Sequence, residues 1–273
     1  MFLAALPAPP AGHPAVIAFW DMRRGLYVHG SRVSLTTDGG RTFRLVLRTP
    51  RQVTGMQAFG ERAAIIDIAS GGAIRTLDGG RTWRPFRHRL DADFATLRVG
   101  LGFDTGRFEL VRRFFATRDG GVSWQPRRSP CSRRLSFSAA VDLATPRAGW
   151  ATCVGQPGTG QQPKAVFSTS DGGRTWRRRG KLDWSGYVWG AAFASDGFGL
   201  VWESRGTLYI TRDAGDHWTA RTDIAEPEID FGGGGAAFPG GRGLVFLGRG
   251  DRSGRLLATR DFGRTWRILH RWP

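Results

Sequence analysis

One eight-residue phrase occurs six times along the chain: Thr-x-Asp-x-Gly-x-[Thr/Ser/His]-[Trp/Phe]. We call it the repeat motif. Its successive aspartates are 40, 41, 52, 42 and 48 residues apart. A period of this length, in units made of short strands, is typical of β-propellers. The sequence therefore predicts an all-β fold, with residues 14–273 forming a single six-bladed propeller of four-stranded antiparallel blades.

The flanks of the repeat motif alternate apolar and polar residues, which places the motif in the hairpin between the third and fourth strands of each blade. Its glycine suits a positive φ, its carboxylate can accept backbone N–H groups, and its aromatic side chain can bury a large apolar face. The alternative is a ring of acids or metal ligands, but a carboxylate that closes a turn is already occupied. We therefore predict structural roles, and no metal or cofactor, for Asp38, Asp78, Asp119, Asp171, Asp213, Asp261, Trp83, Trp124, Trp176, Trp218 and Trp266.

A second pattern predicts the turn between the first and second strands. A turn-forming residue stands four positions before a glycine, and a large apolar residue follows that glycine, as at Gly25, Gly149, Gly199 and Gly243. Blades two and three lack this pattern in our interpretation. Blade three, assigned to about residues 94–127, fits the repeat least well.

The repeat motif resembles the Asp-box, also called the bacterial neuraminidase repeat, and the resemblance covers the chain from about Ala15 to Leu269. Propellers with such boxes include sialidases, xyloglucan-cleaving hydrolases, sortilin-type receptors and photosystem II assembly factors. This chain looks most like the last group. The resemblance implies an assembly or binding role toward other proteins.

An enzymatic function is the main rival. A sialidase needs a tyrosine nucleophile paired with a glutamate, and Tyr187 is the one tyrosine expected on an innermost strand. The acidic pairs Asp91/Asp93 and Glu226/Glu228 are expected on links between blades, on opposite sides of the ring and too far apart for glycoside hydrolysis. The five histidines show no ligand or catalytic spacing. We therefore predict no catalytic residues and no enzyme.

Arginine dominates the charge of this protein. The net charge is +17, and Lys164 and Lys181 are the only lysines among 40 basic residues. Basic clusters follow the last strands of several blades, and we predict that they form a positive ring on the face that carries the links between blades. The alternative is that they decorate the rim and keep the protein soluble. The candidate partner-binding residues are Arg84, Arg87, Arg89, Arg127, Arg128, Arg133, Arg134, Arg177, Arg178 and Arg179.

The two cysteines, Cys131 and Cys153, are expected at the same corner of blade four. A disulfide there would imply an oxidising compartment, and two reduced cysteines are the alternative. We expect residues 1–13 to be either the remnant of an export signal or a plain leader. No apolar stretch in the sequence is long enough to span a bilayer. We expect an extracytoplasmic location, with the cytoplasm as the alternative.

Together these features predict a non-enzymatic binding or assembly scaffold that contacts an acidic partner through its arginines. The partner is a protein, or alternatively a polysaccharide or another polyanion. Sequence-specific binding of nucleic acid is not expected, since no recognised motif for it occurs. The alternative function is a carbohydrate-binding or sialidase-like propeller, in which Trp184, Tyr187 and Trp189 stack on sugar rings instead of packing within the inner strands.

Overall fold

A computed structural model of the chain describes residues 16–69, 72–87, 90–105, 110–183, 185–224, 233–248 and 254–272. Its strands form six four-stranded antiparallel sheets, and each sheet consists of four consecutive strands. The sheets are arranged in a ring, so the predicted six-bladed β-propeller is confirmed. Short 3-10 helices lie between strands at Arg133–Leu135 and Ser204–Gly206. None of the described helices has the length and apolar character that a membrane crossing requires.

The strands are short, as expected for blades, and each blade is a simple antiparallel meander. In chain order, four to a blade, they are β1 (Val16–Phe19), β2 (Gly25–His29), β3 (Arg32–Thr36), β4 (Arg44–Arg48); β5 (Val53–Phe59), β6 (Ala63–Ile68), β7 (Gly72–Thr76), β8 (Arg84–Phe86); β9 (Asp91–Phe94), β10 (Gly100–Thr105), β11 (Val111–Thr117), β12 (Gln125–Arg127); β13 (Ser138–Leu143), β14 (Gly149–Val154), β15 (Lys164–Thr169), β16 (Arg177–Arg178); β17 (Val188–Phe193), β18 (Gly199–Glu203), β19 (Leu208–Thr211), β20 (Thr219–Arg221); β21 (Gly233–Phe238), β22 (Arg242–Gly248), β23 (Gly254–Thr259) and β24 (Arg267–Trp272).

The strand order defines two faces of the ring. The repeat motifs and the turns between first and second strands lie on one face, which we call the lower face. The links between blades and the loops between second and third strands lie on the other, which we call the upper face. The first strands of the blades, β1, β5, β9, β13, β17 and β21, surround the central axis.

On the lower face, the two turns of every blade are joined by the same backbone hydrogen bond. The N–H of the fourth motif residue donates to a carbonyl in the turn between the first and second strands. The donor and acceptor pairs are Gly39 to Arg23, Gly79 to Arg62, Gly120 to Arg98, Gly172 to Arg147, Ala214 to Gly197 and Phe262 to Gly241, at 2.8–2.9 Å. This bond fixes the outer hairpin of each blade relative to its inner strand.

The glycine that begins the second strand is explained by the residue that ends the first. A Cβ on Gly100 would come within 2.7 Å of the Phe94 ring, and one on Gly149 within 2.5 Å of Leu143. The bulky side chain therefore covers the glycine, and a larger residue would displace it.

The expectation that blade three lacks this pattern was wrong. Thr96 accepts hydrogen bonds from the backbone N–H groups of Arg98 and Val99 and precedes Gly100 by four residues. Thr145 has the same role in blade four. The first strand of blade three is Asp91–Phe94, so the expected start near residue 94 falls at the end of this strand. In blade two, Ala63 takes the place of the glycine and pairs with Phe59.

The aromatic residue of each repeat motif is half-buried and packs on the preceding blade. Trp83 contacts the cluster that contains Leu26 and Val28, and the Trp176 ring lies 5.9 Å from the Phe114 ring, edge to face. The motif glycine allows this approach, because a Cβ on Gly173 would come within 2.8 Å of Leu101. The motif therefore shapes a turn within one blade and also fits that blade against its neighbour.

The ring closes between blades six and one through aromatic packing. Tyr27 stacks on Trp272 with ring centroids 4.5 Å apart, and Phe43 lies 5.4 Å from both Trp272 and His270. The side chain of His270 also lies 3.1 Å from the carbonyl of Arg41. Because each described sheet holds the strands of one blade only, side-chain contacts carry this closure.

Replacing Trp176 by alanine should lower the free energy of unfolding by about 3 kcal/mol, the low end of the range for buried aromatics, because the indole is half-buried. Urea denaturation of the variant and the parent protein measures the difference. Trp176→Phe, which keeps a ring against Phe114, serves as the control and should lose less. An alanine variant as stable as the parent would contradict the proposed packing between blades.

Candidate functional site

The inner strands enclose a central channel that contains a cavity of about 780 Å³. Small residues such as Gly55, Ala140 and Gly235 form much of its wall. Its described lining includes four aspartates and no lysine, arginine or histidine. These acids are Asp67, Asp91, Asp93 and Asp142. The channel of this strongly basic protein is therefore acidic.

Three polar side chains connect neighbouring blades along the channel wall. Gln57 donates from its amide to the carbonyl of Ala92 at 2.6 Å, and its carbonyl accepts the N–H of Phe94 at 2.9 Å. Asp93 accepts the N–H of Leu143 at 2.6 Å. Asp142 accepts the N–H of Phe193 at 2.9 Å. Blades two to five are therefore joined in sequence by bonds from a side chain of one blade to the backbone of the next.

Burial changes the acidity of the two aspartates in this series. It raises the pKa of Asp93 to about 6, and the backbone N–H groups of Leu143 and Phe94 only partly oppose this effect. Burial and the nearby charge of Asp93 raise the pKa of Asp142 well above its usual range. Both residues are half-buried and line the cavity. Burial therefore makes the ionised form of each carboxylate less favourable than it is in water.

The expected position of the pair Asp91/Asp93 was wrong. Both residues lie in β9 and line the channel instead of a link between blades. The link interpretation failed because blade three begins earlier in the sequence than expected. The other expected acidic pair, Glu226/Glu228, lies outside the described residues.

The six motif aspartates are engaged within their own turns. One carboxylate oxygen accepts the hydroxyl of the first motif residue and the N–H of the seventh, as Asp171 does with Thr169 and Thr175 at 2.8 and 3.0 Å. The other oxygen accepts the hydroxyl of the seventh residue, at 2.6 Å from Thr175. In blade five the imidazole of His217 takes this position, 2.7 Å from Asp213. None of the six motif aspartates lines the cavity.

The hydrogen bonds in these turns hold the aspartates in their ionised form. The hydroxyl and N–H of the seventh residue lower the pKa of Asp119 and of Asp261 to about 2. The same set of donors in the other turns also lowers the pKa of Asp38, Asp78, Asp171 and Asp213. These acids are turn acceptors, and their protons are not available near neutral pH.

The first threonine of the motif has a role that the sequence interpretation missed. Its buried hydroxyl donates to the aspartate and accepts the N–H of the motif glycine, at 2.9 Å between Gly173 and Thr169. All six copies make this bond. In the other five copies the threonines that accept the glycine N–H are Thr36, Thr76, Thr117, Thr211 and Thr259. The presence of threonine in every copy was the available signal.

The candidate arginines fall into two groups. Arg128, Arg133 and Arg134 are exposed in the link before blade four, on the upper face. A second exposed group lies in or just beyond the outermost strands, on the rim: Arg84, Arg87, Arg177 and Arg178. Arg127 is half-buried in β12, and Arg89 lies outside the described residues.

Arg179 is occupied between two blades. Its guanidinium pairs with Asp216 of the next repeat motif at 2.9 Å and donates to Ser168 at 2.7 Å, and its side chain is 14% exposed. Arg221 occupies the corresponding position in blade five and donates to the carbonyls of Gly263 and Arg264. Arginines at this position therefore connect blades, and Arg179 is poorly placed to contact a partner.

Cys131 and Cys153 form a disulfide, with their Cα atoms 5.4 Å apart. The bond joins the link before blade four to β14, the second strand of that blade. Cys131 packs with Phe103 and Phe114. The disulfide thus anchors the link that carries the upper-face arginines.

The tyrosines do not form a sialidase-like site. The Tyr187 hydroxyl accepts the N–H of Gly160 at 3.1 Å. Burial raises the pKa of Tyr27 to about 12 and also raises that of Tyr209. None of the three lines the cavity.

A buried ion pair joins blades four and five. The Lys164 ammonium donates to Glu203 and to the carbonyls of Ser185 and Gly186, the latter two at 2.6 and 3.3 Å. Both charged side chains have no exposed surface. Burial raises the pKa of Glu203 to about 7, against the effect of the lysine. Within the described residues, no group of three or more histidine, cysteine or acidic side chains could hold a metal ion.

Of the aromatic residues considered for stacking on sugars, Trp189 lines the cavity and is 37% exposed. Trp184 lies outside the described residues. The sequence interpretation did not identify Trp202, whose indole also lines the cavity although the residue is only 7% exposed.

No protein-family model and no curated protein matches this chain. Solved structures do share its fold. "YCF48 bound to D1 peptide" is 16% identical, with a TM-score of 0.52 over 95% of this chain and 82% of that one. A fucose-specific lectin from Aleuria aurantia is 11% identical, with a TM-score of 0.62 over 95% and 96%. A GH74 xyloglucanase from Xanthomonas campestris is 16% identical, with a TM-score of 0.55 over 94% and 45%. At these identities the likeness concerns the fold alone, and it includes both binding proteins and an enzyme.

Removing the disulfide with the double change Cys131→Ser and Cys153→Ser should lower the free energy of unfolding by about 3 kcal/mol, the size expected for a loop of this length. Urea denaturation of the variant and of the parent, with and without reductant, tests this. Reductant should destabilise the parent and leave the variant unchanged. Equal stability of all four samples would contradict a stabilising role.

Replacing Asp93 by asparagine should stabilise the protein above pH 6. The pKa of Asp93 is about 6 in the folded protein and about 3.9 in an unfolded chain. Asp93 therefore adds to the free energy of unfolding at low pH, and this contribution is lost as the pH rises through 6. Asparagine keeps an acceptor for Leu143 and carries no charge. We expect a gain of about 1–2 kcal/mol at pH 8, reduced by screening from channel water, and little gain near pH 4. Thermal melting at both pH values measures it, and an equal effect at both would contradict this account.

Proposed function

We propose that this propeller is a non-enzymatic binding scaffold that contacts an acidic surface of a partner protein through its upper-face arginines. One observation carries the proposal: Arg128, Arg133 and Arg134 are exposed in one link, and none of them takes part in a salt bridge of the described residues. Arginine guanidinium groups bind carboxylates in a paired geometry, so this link suits an acidic peptide or protein surface.

The rigidity of the link supports the same function. Arg133 and Arg134 lie in a short 3-10 helix, and the disulfide at Cys131 ties this segment to β14. A surface that is already ordered loses less conformational entropy when it binds. The disulfide also supports our proposal that the protein works outside the cytoplasm, where such bonds persist.

The absence of enzymatic activity is part of the proposal. Asp93 and Asp142 accept hydrogen bonds from the backbone of neighbouring blades, and the motif aspartates are held by their own turns. Solved structures of similar fold include YCF48 bound to a peptide and a fucose-specific lectin. We propose an assembly-type role by analogy with such binding propellers.

A carbohydrate-binding function is the second candidate. The exposed indole of Trp189 at the cavity favours it, because aromatic faces suit the apolar faces of sugar rings. This function predicts a partner that neutral sugars displace, whereas the scaffold function predicts one that salt displaces.

Charge reversal tests the scaffold function. The variant Arg133→Glu/Arg134→Glu should lose the partner that the parent captures from an extract of its native organism, because like charges then face each other. The matched control is Arg264→Glu/Arg267→Glu, which reverses two exposed arginines on blade six and changes the net charge equally. Capture is measured at rising salt. Equal loss in both variants would show mere attraction to overall charge, and equal retention in both would contradict the proposed surface.

A further inference from the structure

An arginine stands at the same position in three successive blades. It is the third residue after the motif aromatic, at Arg127, Arg179 and Arg221. Arg179 pairs with Asp216 of the next repeat motif at 2.9 Å, and Arg221 donates to two carbonyls of the motif in blade six, both at 3.1 Å. In these two blades the position therefore presents a guanidinium group to an acceptor in the motif of the following blade.

Arg127 has no such acceptor among the described residues. Its terminal nitrogens donate only to neutral groups of its own strand, the Pro126 carbonyl at 2.9 Å and the Gln125 side chain at 3.5 Å. Its Nε has no hydrogen-bond partner in the described part of the chain. The reason lies in blade four, where Arg174 stands at the sixth motif position that Asp216 holds in blade five. An arginine thus replaces the carboxylate that pairs with this position at the next interface between blades.

A third arginine adds to the positive charge at the interface between blades three and four. Burial lowers the pKa of Arg127, and the nearby charges of Arg174 and Arg118 lower it further, while the charge of Asp171 opposes them. Asp171 is held in its own turn by hydroxyl and N–H donors. None of the three arginines takes part in a salt bridge of the described residues. Three guanidinium groups therefore lie near one another without a described carboxylate bonded to any of them.

This arrangement fits one kind of ligand. We propose that the interface between blades three and four binds a phosphate group, which Arg118, Arg127 and Arg174 hold where a carboxylate lies at the next interface. The forked N–H groups of arginine match the oxygens of a phosphate. A phosphate carries about two negative charges near neutral pH and has several acceptor oxygens, so it can serve three guanidinium groups at once. The same chemistry suits the free ion and the phosphoryl group of a larger molecule.

Other occupants fit this interface less well. A cation would meet three like charges, and a neutral ligand would leave those charges uncompensated. A single carboxylate supplies one charge only. The site is also distinct from the upper-face arginines of the proposed scaffold function, because Arg118 and Arg174 belong to repeat motifs, which lie on the lower face. A failure to bind phosphate would therefore leave the scaffold function untouched.

Isothermal titration of the full chain with three probes at constant ionic strength tests the proposal. The probes are inorganic phosphate, glycerol 3-phosphate and acetate. We expect saturable binding of at least one phosphate probe, with acetate weaker by about tenfold or more because it has one charge and fewer acceptors. Tighter binding of glycerol 3-phosphate would identify an esterified phosphate as the ligand, and otherwise the free ion is the ligand. Acetate that binds as tightly as the phosphates, or no saturable heat with either phosphate, would overturn the proposal.

Two variants assign the binding to this interface. Arg127→Gln and Arg118→Gln each remove one guanidinium group and should each weaken phosphate binding by about tenfold. Arg118 is exposed, so its replacement leaves the packing between blades intact. The matched control is Arg260→Gln, which removes an exposed arginine at the same motif position in blade six and should bind as the parent does. Unchanged affinity in both site variants, or an equal loss in the control, would overturn the assignment.

The variant Arg174→Asp tests the comparison between the two interfaces. It places a carboxylate at the sixth motif position of blade four, as Asp216 does in blade five. Phosphate should raise the melting temperature of the parent protein, because a ligand that binds the folded state stabilises it. The same addition should leave the variant almost unchanged, since its own carboxylate then serves Arg127. A shift as large in the variant as in the parent, or no shift in the parent, would contradict the proposed site.

Discussion

The buried threonine hydroxyl of the repeat motif holds this fold together. It donates to the motif aspartate and accepts the N–H of the motif glycine, so the turn between the third and fourth strands has one conformation in all six blades. That conformation brings the fourth motif residue onto the turn between the first and second strands. It also leaves room for the preceding blade, because the fifth residue has no Cβ. The close packing of each blade on the preceding one therefore relies on this turn.

Charge is divided between the inside and the outside of the ring. Arginines occupy the rim and the upper face, whereas the described channel wall carries aspartates alone among charged side chains. Small and hydrogen-bonding residues on the inner strands create this difference. Gln57, Asp93 and Asp142 reach the backbone of the next blade, so they must point along the wall. Contacts that keep neighbouring blades in register thus also make the channel acidic.

The sequence predicted the architecture because its signals are local. A turn that needs threonine, aspartate and glycine at fixed positions can be recognised without knowing what surrounds it. Blade three was placed less well, since the pattern Thr96 to Gly100 was overlooked and Asp93 was assigned to a link. The channel could not be predicted, because the proximity of Asp93 to Asp142 depends on how two blades pack. The same is true of Arg179, which has the sequence context of its exposed neighbours but pairs with Asp216.

The closure between the first and last blades has a consequence for how such rings change over evolutionary time. A continuous segment of chain supplies all four strands of each described sheet. Aromatic stacking of Tyr27 on Trp272 joins the last blade to the first. Duplication or deletion of such a segment therefore adds or removes one complete blade and leaves the strand pairing of the other blades unchanged. The number of blades can change in this way as long as the first and last blades still pack on each other.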